Sequence, residues 1–245
     1  MIRRFVCALA FLTRTPLPSR LVFDARDVGR ATLMFPAIGG LFGGIAITGR
    51  HLLTGALPAP VVALLIVASC ALATGALHLD GLADMADGFG GGRTRDDVLR
   101  IMRDHVIGAY GACALVFVIG LKVAALTALL DRHADGALLL APVLARWSSV
   151  PVGWLTPYAR AQGGLGQAIT DHVGMIEVAG ATALAGGAAL IVGWPATPCW
   201  LAVAAISAAQ AWWCVRKIGG VTGDTLGANV EVCEAATYVL ALALS

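Results

Sequence analysis

The chain has 245 residues, 58% of them apolar and only 13% charged, with a mean hydropathy of +0.82 and a net charge of +2. A soluble globular domain carries about 25% charged residues, so the composition excludes that class and indicates an all-α, polytopic integral membrane protein with six to seven transmembrane helices in one domain, 1–245. The net charge says little until the charges are placed, and no nucleic acid is expected as a partner.

Residues 1–30 hold six arginines (3, 4, 14, 20, 26 and 30) together with Pro16 and Pro18. They read as a short amphipathic helix followed by a cytoplasmic N-terminal segment. The opening MIRRFVCALAFL has the arginines and apolar run of a signal peptide but no Ala-x-Ala site, so it reads as mature sequence. Apolar runs then predict spans over 32–48, 60–79, 107–130, 137–155, 174–194 and 199–215. A last helix runs from 229 to the end; because it carries Glu231 and Glu234, it is either a short seventh span or partly inserted. Between the spans lie a polar, Asp-rich loop over 80–106, a Gly-rich loop over 156–173 and a glycine-rich loop over 216–230. The six cysteines are scattered singly with no C-x-x-C pair, which suggests neither a zinc site nor a disulfide framework.

Cytoplasmic loops of membrane proteins are enriched in Lys and Arg. With the N-terminus inside, the inside segments hold the six N-terminal arginines, four more in 80–106, Arg160, Arg216 and Lys217, while the outside turns hold only Arg50 and Arg132. This asymmetry predicts that every Asp- and Gly-rich loop, and so the active site, faces the cytoplasm.

The densest chemistry is in His78-Leu79-Asp80-Gly81-Leu82-Ala83-Asp84-Met85-Ala86-Asp87-Gly88, with Asp104 downstream. Asp80, Asp84 and Asp87 recur at i, i+4 and i+7, one face of a helix. Like charges so stacked repel, and carboxylates at membrane depth are costly and usually functional. A solvated acidic loop is the plain alternative. A hard divalent cation with oxygen ligands is the natural counter-ion, and Mg²⁺ commonly bridges phosphates. Asp80, Asp84, Asp87 and Asp104 are therefore the candidate metal ligands, for one ion or two.

A second constellation is Gly219-Gly220-x-Thr222-Gly223-Asp224-x-x-Gly227-Ala228, a glycine-rich approach to a helix N-terminus that suits an anion or is simply a capped loop. Lys122 and Arg146 fall within spans and read as snorkelling, as paired with carboxylates, or as phosphate ligands. Arg93, Arg95, Arg100 and Arg103 read as headgroup or solvent contacts, Arg103 also as facing the site beside Asp104. His78 is either a capping residue or part of the metal shell, and Glu231 and Glu234 are further candidate ligands.

The segments HLDGLADMADGFGGG, RDDVLRIMRDHVIGAYGACALV and GGVTGDTLGANVEVCE, with FLTRTPLP and FPAIG near the start, resemble the signature segments of the cobalamin synthase (adenosylcobinamide-GDP ribazoletransferase) family. The resemblance runs from residue 11 to 234. It implies a Mg²⁺-dependent enzyme of the bacterial inner membrane that joins α-ribazole, or its 5′-phosphate, to adenosylcobinamide-GDP and releases GMP, a late step of cobalamin biosynthesis. It carries the family's acidic motif onto Asp80, Asp84, Asp87 and Asp104, and its second motif onto Thr222, Gly223 and Asp224. On this reading Asp87, Asp104 and Asp224 are catalytic, with Asp87 the candidate general base, and Lys122, Arg146, Thr222, Gly223 and Arg103 contact substrate. A homo-oligomer is left open. The D-G-x-x-A-D-x-x-D spacing is also similar to the motif of CDP-alcohol phosphotransferases, which carry Arg where this chain has Asp84; a lipid synthase of that kind is the runner-up. A secondary transporter using the same carboxylates for a coupling ion is a third reading.

Overall fold

The computed structural model describes residues 1–16, 18, 21–164 and 166–245. Leu17 of the FLTRTPLP stretch, Arg20 of the N-terminal arginines and Leu165 of the Gly-rich loop lie outside the described residues.

The described residues form twelve α-helices: α1 (Ile2–Leu12), α2 (Ala25–Ala31), α3 (Phe35–Leu53), α4 (Ala59–Thr74), α5 (Leu77–Gly91), α6 (Arg95–Ile101), α7 (Ala109–Asp131), α8 (Asp135–Leu155), α9 (Gln167–His172), α10 (Met175–Val192), α11 (Ala196–Ile218) and α12 (Gly223–Leu244). A single 3₁₀ turn, Thr32–Met34, joins α2 to α3. Six helical segments are long and apolar enough to cross a membrane: α2–α3 taken together, α7, α8, α10, α11 and α12. The bent pair α4–α5 raises the number to seven if it counts as one span. Val116, Phe117, Leu190, Ile191, Leu201 and Trp212 stand 60% to 86% exposed along α7, α10 and α11. Hydrocarbon, not water, is the solvent that such a coat suits.

α8 is the central post, with α3, α10, α11 and α12 packed around it. Small residues let backbones approach closely in a membrane, where no hydrophobic drive separates helix from lipid. Gly39 and Gly43 of α3 serve this purpose: a Cβ on Gly43 would lie 2.8 Å from the Leu139 Cα of α8, and one on Gly39 would strike the Pro142 backbone. A buried polar layer ties the same post to its neighbours. The Asn229 amide of α12 donates to Ser148 of α8 at 2.8 Å and to Ser207 of α11 at 3.1 Å.

Three boundaries depart from the sequence reading. The predicted span over 60–79 ends at Thr74, where Gly75 (φ +60) and Ala76 (φ +58) both adopt the left-handed conformation and turn α5 by 89° from α4. The Asp-rich region, expected as a loop over 80–106, is mostly helix, α5 and α6. The last helix begins at Gly223, six residues before 229, and at 22 residues is long enough for a full span. The opposite end of the bundle also has more structure than the short turns predicted: Arg50 donates to both Asp135 oxygens (2.5 and 2.6 Å) and contacts His133 Nδ1 at 2.8 Å, clamping α3 to α8.

Candidate active site

α5 and α12 cross where both are thin. A Cβ on Gly81 would lie 2.6 Å from the Asp224 carbonyl oxygen, and one on Gly227 would lie 3.3 Å from the His78 Cα. This approach brings the Asp80 and Asp84 face of α5 beside Asp224 in the first turn of α12. The charges of Asp224, Asp80 and Asp87 bear on Asp84, and that of Arg160 opposes them. A cavity of about 560 Å³ opens at this crossing, lined by Asp80, Asp224, His78, Arg160, Tyr158 and Arg14 among others.

The segment after α8 closes one side. Tyr158 forms a parallel bridge to Val221: the Val221 N–H donates to the Pro157 carbonyl at 2.9 Å, and the Ala159 N–H donates to the Val221 carbonyl at 2.8 Å. Arg95 of α6 fastens this segment from outside, donating to the Ala159 carbonyl (2.7 Å) and to the Ile218 carbonyl at the end of α11 (2.8 Å). Arg95, expected at headgroups or solvent, is thus a brace for two loops. So held, Arg160 donates to Asp224 Oδ2 at 2.5 Å and to the Met102 carbonyl at 3.2 Å. Burial pushes the Tyr158 hydroxyl above its ordinary pKa, so it stays a neutral donor.

The predicted site residues fall into separate groups. Asp80 is exposed and Asp84 half-buried, and neither carboxylate accepts a hydrogen bond from any described residue. Asp224 joins them, paired with Arg160. Asp87 differs: its oxygens accept the N–H groups of Gly108 (2.7 Å) and Gly111 (2.9 Å), so it caps the N-terminus of α7. With both oxygens taken up by these N–H groups, the contact gives Asp87 an anchoring role at the start of α7 in place of the expected proton-accepting one. Asp104 lies exposed on the turn after α6, its carboxylate accepting the Val106 N–H at 3.2 Å. The described residues therefore do not gather the four predicted ligands into one cluster of three or more.

Thr222, fully buried, caps α12: its hydroxyl accepts the Thr225 N–H at 3.2 Å and donates to Asp224 Oδ2 at 3.3 Å. Its neighbour Gly223 lines the cavity. Arg103 turns to Gln162 at 2.8 Å. Of the three readings of Lys122 and Arg146, the structure shows pairing with carboxylates and not a place among the phosphate-facing residues of the cavity. Lys122 Nζ lies 2.6 Å from Glu231 and 2.8 Å from Glu234, and Arg146 pairs with Glu234 while its guanidinium sits 4.8 Å over the Phe42 ring. All four charged residues are at most 6% exposed and line a small cleft apart from the carboxylate cavity. Charges at that depth are stable only when paired, which is what the two glutamates do. Glu231 and Glu234 are thus counter-ions and not further ligands of the Asp site. The sequence reading missed Arg160, counted only as a loop charge, and Tyr158. Their signal was a Tyr-x-Arg directly after a span and before a glycine run.

The fold and this cavity define a polytopic helical membrane protein with a carboxylate- and arginine-lined site at the ends of its spans. The chain belongs to the cobalamin-5-phosphate synthase family, whose model matches residues 4–242. Curated relatives called adenosylcobinamide-GDP ribazoletransferase are similar nearly end to end. The Pseudomonas paraeruginosa protein is 43% identical, with 99% of this chain and 98% of the relative covered. The Pseudomonas putida strain W619 protein is 41% identical with 98% of each covered, and the Syntrophobacter fumaroxidans protein 38% with 94% of each. No solved structure matches.

Proposed function

We propose that this chain is an adenosylcobinamide-GDP ribazoletransferase of the cytoplasmic membrane, working with Mg²⁺ at the cytoplasmic face. It joins α-ribazole or its 5′-phosphate to the cobinamide phosphate and releases GMP. The observation that carries the reading is the full-length similarity to proteins of that name, joined to a cavity in which Asp80, Asp224 and Arg160 converge. The count of Lys and Arg by segment supports the cytoplasmic orientation.

The donor set suits the metal. Mg²⁺ is usually held by one or two carboxylates, several waters and substrate phosphates; no three His, Cys, Asp or Glu side chains among the described residues group closely enough to hold an ion, so Asp80 and Asp84, which accept no hydrogen bond from described residues, would supply one or two oxygens and the substrate phosphates the others. When bound, such an ion neutralises charge on the phosphoanhydride oxygens. In the reaction a ribose hydroxyl forms a new P–O bond to the phosphorus on the cobinamide side. The anhydride P–O bond to GMP breaks, and the hydroxyl proton passes to the carboxylate of Asp80 or Asp84. Arg160 neutralises Asp224 and supports the loop that walls the cavity. Tyr158, held protonated, donates a hydrogen bond to a substrate oxygen. Asp87 keeps α7 against α5, and Thr222 fixes the start of α12, so both act by holding the reacting carboxylates in place.

Purified protein in detergent, given Mg²⁺, adenosylcobinamide-GDP and α-ribazole, releases GMP on this reading; CDP-diacylglycerol with an alcohol yields no CMP. Folded protein that releases no GMP under these conditions overturns it.

A further inference from the structure

The chain leaving α1 crosses the break between α4 and α5, and the crossing point is Arg14. Its backbone N–H donates to the Ala73 carbonyl at 2.8 Å. Its side chain lies on the bare backbone of Gly75, where a Cβ would collide with the guanidinium Nε and the stem. Just before it, the Thr13 hydroxyl bonds the Leu9 carbonyl at 2.6 Å and the Thr15 hydroxyl at 2.8 Å, which fixes the exit from α1. Arg14 is therefore placed by its backbone bond to Ala73 and by the packing of its stem on Gly75.

This seat lines the same cavity as Asp80 and Asp224. Two arginines reach the cavity, and they differ. Arg160 is half-buried and neutralised by Asp224. Arg14 is exposed to the cavity, and among the described residues neither a carboxylate nor a carbonyl receives its guanidinium. A guanidinium held on glycine, facing a cavity and paired with no acceptor among the described residues, has the geometry that selects phosphate by a two-pronged hydrogen bond.

We infer that Arg14 binds a phosphate of the substrate in the cavity that Asp80 also lines. The inference rests on the ribazoletransferase reading for the identity of that phosphate, which comes from one of two sources: the pyrophosphate bridge of adenosylcobinamide-GDP or the 5′-phosphate of phosphorylated α-ribazole. Arg14 contributes binding and orientation, leaving the carboxylates to the bond-making step.

The test uses the full chain in detergent and the variants Arg14→Ala, Arg14→Gln and Arg14→Lys. KM is measured for adenosylcobinamide-GDP, α-ribazole and α-ribazole 5′-phosphate separately. Arg14→Ala raises KM for one phosphate-bearing substrate roughly 10- to 100-fold, the worth of a charge-assisted hydrogen-bonded pair, with kcat changed far less. Arg14→Lys, a point charge without the fork, recovers part of the loss. A rise confined to adenosylcobinamide-GDP assigns the pyrophosphate, and one confined to α-ribazole 5′-phosphate assigns the acceptor. Arg14→Gln, which keeps a stem over Gly75, carries the test if the alanine variant does not fold. KM values all within twofold of wild type, or a fall in kcat alone, overturn the inference. A second arm is independent of turnover. Inorganic pyrophosphate without added metal raises the unfolding temperature of wild type and not of Arg14→Ala; equal protection of both overturns the assignment. Absence of GMP release by wild type counts against the ribazoletransferase reading, and the pyrophosphate arm then decides on Arg14 by itself.

Discussion

Lys122 of α7 sets its ammonium 2.6 Å from a Glu231 carboxylate oxygen of α12, with both side chains 6% exposed. Glu234, three residues on, takes the second contact of Lys122 and the guanidinium of Arg146. Three helices, α7, α8 and α12, are thereby pinned by two cations and two anions, and α12 carries Asp224 in its first turn. Removing one partner orphans a buried charge, which costs about 3–5 kcal/mol. Glu231→Gln is expected to lower stability in detergent by that order, measured by chemical denaturation. The double change Lys122→Met with Glu231→Leu leaves Arg146 and Glu234 matched and costs less than the single change.

Asp84 is where the metal proposal is most exposed to refutation. Asp84→Asn keeps size and loses charge, so the protein is expected to be made and inserted at wild-type levels. Its GMP release falls by roughly 10²–10³-fold, the scale of losing one group that stabilises charge in a transition state. Turnover near wild type removes Asp84 from the metal set.

Asp87 makes the opposite prediction. Asp87→Asn keeps an acceptor oxygen for one of the two α7 N–H groups but presents an amide N–H to the other. The stability loss is about 1 kcal/mol, as for a lost helix cap, while kcat at saturating Mg²⁺ falls no more than about tenfold. A loss as deep as that of Asp84→Asn restores Asp87 to the reacting set.

Gly81 tests the crossing of α5 and α12. A methyl group there meets the Asp224 backbone at 2.6 to 2.9 Å, and backbone yields less readily than a side-chain tip. Gly81→Ala is expected to cost about 1–3 kcal/mol through overpacking and to reduce kcat further, because Asp224 shifts away from Asp80 and Asp84. Gly44→Ala, where a Cβ meets nothing within 4 Å, leaves both unchanged.

How much of this was legible in the sequence follows from what each signal measures. Hydropathy reports local composition, so α7, α8, α10 and α11 fell where the apolar runs predicted. It failed on α5 because Asp80, Gly81, Asp84, Asp87, Gly88, Gly90 and Gly91 are individually poor helix formers; the helix exists because α7 and α12 pack on it. The early start of α12 was readable in principle from Thr222 and Thr225, which form a reciprocal cap, yet Gly223 and Asp224 disguise it as loop. The carboxylate face was found from i, i+4 and i+7 spacing alone. Which cation meets which anion was not: Lys122 and Glu231 stand 109 residues apart, and Arg160 stands 64 from Asp224. Only the packed bundle makes them neighbours.

The left-handed pair Gly75 and Ala76 decides how a large substrate can approach. Since α5 leaves α4 at 89°, the carboxylates of α5 are set out sideways to the axis of α4 and not along its continuation. From Asp80 to Asp87 that stretch is about 10 Å long, at 1.5 Å per residue. On the proposed function, a corrinoid joined to a nucleotide by a pyrophosphate can then lie along this helix, with its bulky ends outside and only the phosphates among the carboxylates.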